Sequence, residues 1–442
     1  MMMKKIQNGK ISTAILCTLL IAGLAGCSSA SQSSSSVQTE ETDAVSQASE
    51  TESTAADANT ADTVSAVQID TEDMFTDRDL HQTPDTSDAQ TITVSDGQDV
   101  SITEEGTYVI TGTASDCTIT VDAEDAKVQL VLDGVSITNT DFPAIYVKAA
   151  DKCFVTAADG ESTLSVTGSY VSDGDTNTDA AIFSKADLVL NGTGTVTVSS
   201  SEGNGITSKD TLKATGGTWN VTCAKTALEA NDAVEICGGE FTLDCRNGIK
   251  AENDDDDTLG SVYISDGTFN ITADNDGIHA ATIAEIDGGN ISISAAEGVE
   301  ATSVIIAGGT ISIEASDDGI NAAQKSTACD LLIEIDGGSL TINMGDGDTD
   351  ALDSNGSLVI NDGTIDITAQ FAFDYNTSAE LNGGTVTVNG ETVTEITESG
   401  PGGGGQTGNM PGGGSGGMMG PGGSGSTPSG GGSTVHGSGS AL

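Results

Sequence analysis

Apolar residues alternate with polar ones inside a longer period of about 20 to 29 residues. A Gly-Gly or Asp-Gly pair, a polar residue and an alternating run recur as "GGTWNVTC", "GGEFTLDC", "DGTFNITA", "GGNISISA", "GGTISIEA", "GGSLTINM", "DGTIDITA" and "GGTVTVNG". The second glycines are Gly217, Gly239, Gly267, Gly289, Gly309, Gly338, Gly363 and Gly384, at spacings of 22, 28, 22, 20, 29, 25 and 21. Each longer interval holds an insertion: "ENDDDDTLGS", "QKSTACD" or "GDGDTD". Strict alternation predicts half-buried strands. Three short apolar stretches fall within one repeat, for example Ile291-Ser292-Ile293, the turn Gly277-Ile278-His279-Ala280, and Val234-Glu235-Ile236. Together they predict an all-β fold, a parallel β-helix with three short strands per coil and coils stacked about 4.8 Å apart. Glycine supplies the turn conformations that other residues resist. No helical period appears beyond the N-terminal segment, which sets a helical solenoid aside.

Stacking turns each position of the repeat into a column. Trp219, Phe241, Phe269, Ile291, Ile311, Leu340 and Ile365 share an inward one. Cys223 and Cys245 share another, 22 residues apart. Adjacent rungs bring Cα atoms within disulfide reach, and a pair of small buried thiols fits the pattern equally well. Cys117, Cys153, Cys237 and Cys329 show no metal-ligand spacing. In the turns the second residue is apolar and points inward. The third is expected to point outward and reads Thr207, Glu229, Lys250, His279, Glu300, Asn321, Asp353, Asp374. A second polar column precedes it: Asn204, Thr226, Asn247, Asp276, Glu297, Asp318, Asp350.

Charge gives these columns a chemistry. The chain has 67 acidic residues against 14 Lys and Arg, a net charge of -53, and only 3% aromatics. Such a surface excludes nucleic acid as a partner. Divalent cations are the natural counter-ions, and neighbouring carboxylate columns repel unless one sits between them. Calcium, which takes about six to eight oxygens in tolerant geometry, is therefore the expected ion. Its expected ligands are Asp276, Glu297, Asp317, Asp318, Asp350 and Asp353. The acidic insertions add Asp254, Asp255, Asp256 and Asp257, together with Asp346 and Asp348.

The two ends read differently from the middle. Residues 1–26 have the charged and apolar regions of a signal peptide, closing on Leu24-Ala25-Gly26-Cys27, which resembles the bacterial lipoprotein box. Cys27 is the expected lipidation site, which places the protein on the outer face of the bacterial cell membrane. Residues 27–70, rich in Ser, Thr and acids, form an expected disordered tether. Residues 71–125 are expected to be a β-rich N-terminal cap, 126–398 the parallel β-helix, and 399–442 a disordered Gly-rich tail.

The stretches "VQLVLDGVSITNTDFPAIYVKAADK", "ALEANDAVEICGGEF", "KAENDDDDTLGSVYISDGTFNI" and "ASDDGINAA" resemble bacterial carbohydrate-binding β-helix proteins of the cellulose- and polygalacturonate-binding type. The resemblance covers roughly Met74 to Thr394. It implies a right-handed parallel β-helix like that of pectate lyases, bound calcium, and binding of acidic plant polysaccharide or cellulose. It implies no known catalysis. Lys225 in "TCAKTALEAND" departs from the family's more acidic turn at that rung.

The first expectation is thus a monomeric, lipid-anchored module that holds plant cell-wall polysaccharide. The outward residues Glu229, Lys250, His279, Glu300, Asn321 and Asp374 would face the sugar, and calcium would bridge protein and uronate carboxylates. Cellulose fits less well, since the sole tryptophan, Trp219, is in an inward phase. An alternative is a calcium-dependent pectate lyase, whose C5 proton abstraction needs a base. Lys250 and Arg246 are its candidates. A surface adhesin without a sugar ligand needs only the tether and the repeat.

Overall fold

The computed structural model describes residues 66–345 and 349–399. The expected signal peptide, Cys27, the tether up to residue 65, Asp346, Asp348 and the tail from Gly400 lie outside them. The described residues contain strands and turns but no helix. Each regular repeat lays down three strands, two in a 23-stranded sheet and one in a 12-stranded sheet. Asn290–Ala295 and Ser303–Ile306 join the large sheet, and Glu297–Ala301 between them joins the smaller one. Named strands pair in parallel except for Thr385–Val388 with Glu391–Val393, which is antiparallel.

The register follows the sequence repeat. Trp219 pairs with Phe241, Phe241 with Phe269, Phe269 with Ile291 and Ile291 with Ile311, all buried. The rings of Phe241 and Phe269 stack 5.0 Å apart. The Trp219 indole N–H donates to the Gly216 carbonyl at 2.9 Å, so its one polar atom is satisfied inside the core. A second buried column runs through Leu228, Ile249, Ile278, Val299, Ile320 and Leu352 on the smaller sheet. Insertions leave the ladder intact, because Ile311 still pairs with Leu340 across the 29-residue interval.

Two glycines show why the repeat spells as it does. A Cβ at Gly277 would lie 2.4 Å from Ile293 Cγ2 and 2.7 Å from the Gly298 carbonyl oxygen. Gly309 has φ +87, and a Cβ there would meet the Gly288 backbone at 3.0 Å. The first permits close stacking and the second a left-handed turn.

The N-terminal stretch expected as a β-rich cap does hold strands. Parallel pairing is already present where a cap was expected, with Gln90 opposite Tyr108 and Val100 opposite Ile119. These early strands continue the same two sheets, but apart from Asp96-Gly97 they lack the glycine pairs that mark later repeats, so their periodicity is hidden. Residues expected to end the tether are also anchored. The Ala66 N–H donates to Glu334 at 2.5 Å and the Ile69 N–H to Glu285 at 2.6 Å. Further along, fully buried Asp79 meets the Lys152 ammonium at 3.3 Å, and the Gly192 N–H donates to Gln82 Oε1 at 2.8 Å. Cys223 and Cys245 are free buried thiols. Their mutual hydrogen bond pushes the Cys245 thiol up and draws Cys223 down.

The buried columns set the stability. Ile320→Ala is expected to destabilise by roughly 2–5 kcal/mol. Ile320→Asp should lower the melting temperature further, since it puts an unpaired carboxylate among aliphatic rungs. Thermal melts of the two variants beside the parent measure both effects.

Candidate functional site

The smaller sheet carries the polar columns. Its third-position residues stand in register, with Thr207 opposite Glu229, then Lys250, His279, Glu300, Asn321, Asp353 and Asp374. Asp276 stands opposite Glu297 in the neighbouring column. The inward Ile278 sends the next residue, His279, to the opposite face. Asp276, two residues before Ile278, is placed not by that alternation but by its contact with His279, 3.3 Å away.

Their exposure differs from expectation. Glu229, Lys250, Asp353 and Asp374 are half-buried, but His279 and Glu300 are each only 7% exposed, and Asn321 is buried too. The cause is the insertion after Ala322, which folds back over this part of the sheet. The backbone N–H groups of Lys325 and Ser326 donate to Thr302 Oγ1 at 2.9 Å, and the Lys325 ammonium pairs with Glu300 Oε1. The earlier insertion holds that one in place. Ser326 Oγ donates to the Asp257 carbonyl at 2.6 Å, and the Thr327 N–H donates to the Asp257 carboxylate at 2.9 Å.

Beneath the insertion lies a compact cluster. His279 Nδ1 is 2.8 Å from Glu300 Oε2 and 3.3 Å from Asp276 Oδ2. Burial works against a charged imidazole, but the hydrogen bonds to Asp276 and Glu300 outweigh it and carry His279 up to about 9. Burial also disfavours the Glu300 carboxylate, yet His279 and Lys325 together hold it below its ordinary range. Acids without a cationic partner move the other way. Burial, then the Glu300 charge, lifts Glu297 to about 7, even though Asn321 donates to it at 3.0 Å. Burial and the charges of Asp318, Asp374 and Asp350 lift Asp353 to about 7. Asp318 is raised as well, chiefly by burial.

The residues expected at the site fall into separate places. Asp254, Asp255, Asp256 and Asp257 are exposed. Asp256 caps Thr258 and Asp257 ties the insertions together, so these two are committed to loop structure. Asp317 is exposed beside half-buried Asp318. Glu229 accepts hydrogen bonds from Asn204 and Thr207. Lys250 pairs with Glu252 at 2.5 Å, and Arg246 is exposed. Among the described residues, the one group of three that converges within 4.8 Å is Asp276, His279 and Glu300. Of the acids expected to bind calcium, only Asp276 belongs to it. The carboxylates of Glu297, Asp318 and Asp353 do not converge to that distance. Alone, they do not form an enclosed calcium shell.

Two features escaped the sequence reading. Lys325 is the last Lys or Arg of the chain and lies inside a visible insertion, so its isolation was a usable signal. Tyr146 and Phe183 extend the same column toward the N-terminus, opposite each other and then Thr207. They are buried, with Phe142 edge-on to Tyr146 at 5.5 Å.

Comparison with known proteins bears on this site. A family profile described as carbohydrate-binding domain-containing protein matches residues 96–351. A carbohydrate-binding domain-containing protein of Acetivibrio thermocellus is 37% identical over 129 residues, which are 28% of this chain and 44% of that protein. The match thus spans less than half of that relative's length. A solved structure of a polysaccharide lyase-like protein from C. thermocellum, a gadolinium derivative, is similar at 30% identity and a TM-score of 0.44, covering 51% of this chain and 94% of that one.

The site makes stability depend on pH. Glu297 and Asp353 keep protons up to about 7 when folded, against ordinary values of 4.5 and 3.8. Across that window the folded state binds more protons, so stability falls as pH rises. His279, raised from 6.5 to about 9, contributes stability that is present below its unfolded value and lost as pH climbs through 9. The melting temperature of the chelator-treated chain is expected to decline from acidic to mildly alkaline pH. A rise over the same range would contradict the assignment.

Proposed function

We propose that this chain, which belongs to the family of carbohydrate-binding domain-containing proteins, holds an acidic, pectin-type polymer such as polygalacturonate along the polar column of its smaller sheet. The supporting observation is the in-register run of half-buried carboxylates at Asp353 and Asp374, with Asp318 beside them. A linear column of hard oxygens suits a linear anionic polymer only if cations join the two. Calcium fills that role, taking part of its oxygen shell from the column and the rest from uronate carboxylates. An open edge is what such sharing requires. The architecture we assign is a right-handed parallel β-helix, and the setting is the cell surface, with lipid on Cys27.

Binding without turnover is the better-supported reading. An elimination base must be free to take a proton, and of the two candidates Lys250 is engaged by Glu252 at 2.5 Å, which leaves only the exposed Arg246. Cellulose is a weaker candidate, because Trp219, Tyr146 and Phe183 are all buried and offer no open stacking face.

On affinity gels, polygalacturonate with calcium is expected to retard the protein, while chelator, cellulose or xylan should not. Replacing Asp353 and Asp374 together by Asn should weaken retention by at least ~10-fold, about 1.4 kcal/mol. Retention that survives chelator would refute the calcium bridge, and calcium-dependent release of unsaturated uronides would establish a lyase instead. In cells, Cys27→Ala is expected to shift the protein from the membrane to the soluble fraction, and unchanged partitioning would place the anchor elsewhere.

A further inference from the structure

We infer that Asp276, His279 and Glu300 form a site for a borderline divalent transition metal, with zinc as the reference ion. This site is separate from the shared calcium of the open column and does not require polymer.

The donor set is one imidazole nitrogen and two carboxylate oxygens. Imidazole suits zinc, copper, iron and nickel, whereas calcium seeks about six to eight oxygens. Spacing agrees with this choice. Zinc bonds of roughly 2.0–2.1 Å in tetrahedral geometry separate neighbouring donors by about 3.3–3.4 Å. His279 Nδ1 is 3.3 Å from Asp276 Oδ2 and 2.8 Å from Glu300 Oε2. All three donors lie within 4.8 Å of one another, so the carboxylates must shift by at most roughly 1.5 Å to close the triangle. Three protein ligands leave a fourth position for water.

The second observation is independent of the acids. His279 is 93% buried, being 7% exposed, and its Nε2 has no hydrogen-bond partner among the described residues. With Nδ1 turned to both carboxylates, that nitrogen holds either a bridging proton or a metal ion, and Nε2 carries the ring's other hydrogen, buried and unpartnered, in both states. A metal ion in the proton's place makes that buried N–H part of a neutral ring rather than of an imidazolium, and a neutral donor costs less to leave unsatisfied than a charged one.

The surroundings also suit a preformed site. Asp276 and His279 share the strand Asp276–Ala280, and Glu300 is the register partner of His279 on the next. Lys325 holds Glu300 Oε1, which keeps Oε2 toward the ring, the kind of outer-shell support that fixes metal ligands.

The test uses the full chain, stripped with chelator and free of polymer. Titrated cobalt(II) should develop the visible absorption of a low-coordinate ion, zinc should abolish it, and excess calcium should leave it. Zinc alone should raise the melting temperature. His279→Gln and Glu300→Gln should each weaken zinc by at least ~100-fold, beyond the 10–100-fold that loss of an outer-shell partner costs. Should a variant fail to fold, the cobalt spectrum and zinc-dependent melting of the parent chain still decide. An aqueous-type cobalt spectrum with no zinc effect on melting would overturn the site, and so would displacement of cobalt by equimolar calcium. Failure of polygalacturonate retention would leave this result untouched.

Discussion

The constraint on which the rest depends is register. Side chains alternate along every strand, so a slip of one residue would turn the aliphatic columns to solvent and the carboxylates into the core. Ile278, Val299 and Ile320, all buried, make that slip prohibitive. By locking themselves inward they hold His279, Glu300 and Asn321 on the opposite face. The polar site is thus positioned by its apolar neighbours before any polar contact is made.

Register has an electrostatic consequence. Stacking the same position in successive repeats also stacks like charges, and in this strongly acidic chain it brings Asp353 between Asn321 and Asp374. Where His279 and Lys325 intervene, the carboxylate stays ionised; where they do not, burial and mutual repulsion favour the protonated form. One column therefore holds two electrostatic regimes a few rungs apart, an internally neutralised pocket and an open, charge-frustrated edge.

How far the sequence revealed this follows from what repeats. The inward columns were legible because every repeat restates them, so Trp219, Phe241 and Phe269 could be aligned by counting. The order of the outward column was equally legible, but its exposure was not. That depends on where the insertions containing Asp257 and Lys325 travel, and insertions obey no period. The strands before residue 126 were read only as a β-rich cap, and Tyr146 and Phe183, inside the expected β-helix, were not aligned with the outward column because the earlier repeats follow the pattern more loosely. Periodic features can be read locally. The pocket at His279 arises where two aperiodic segments meet, joined by the hydrogen bonds between Asp257 and residues 326–327.

Stacked repeats that touch only their neighbours behave almost one-dimensionally, and such an array can fray from either end. The segment beginning at Ala66 changes that connectivity. Its hydrogen bonds reach Glu334, 268 residues away, and Glu285, 216 residues away, before Asp79 meets Lys152. Like a cord laced across the spine of a stack of pages, it joins late repeats to early ones, so unravelling from either end past Glu334 or Lys152 also means undoing contacts of the one segment that holds both. The array gains long-range cooperativity from a stretch that contributes no strand of its own.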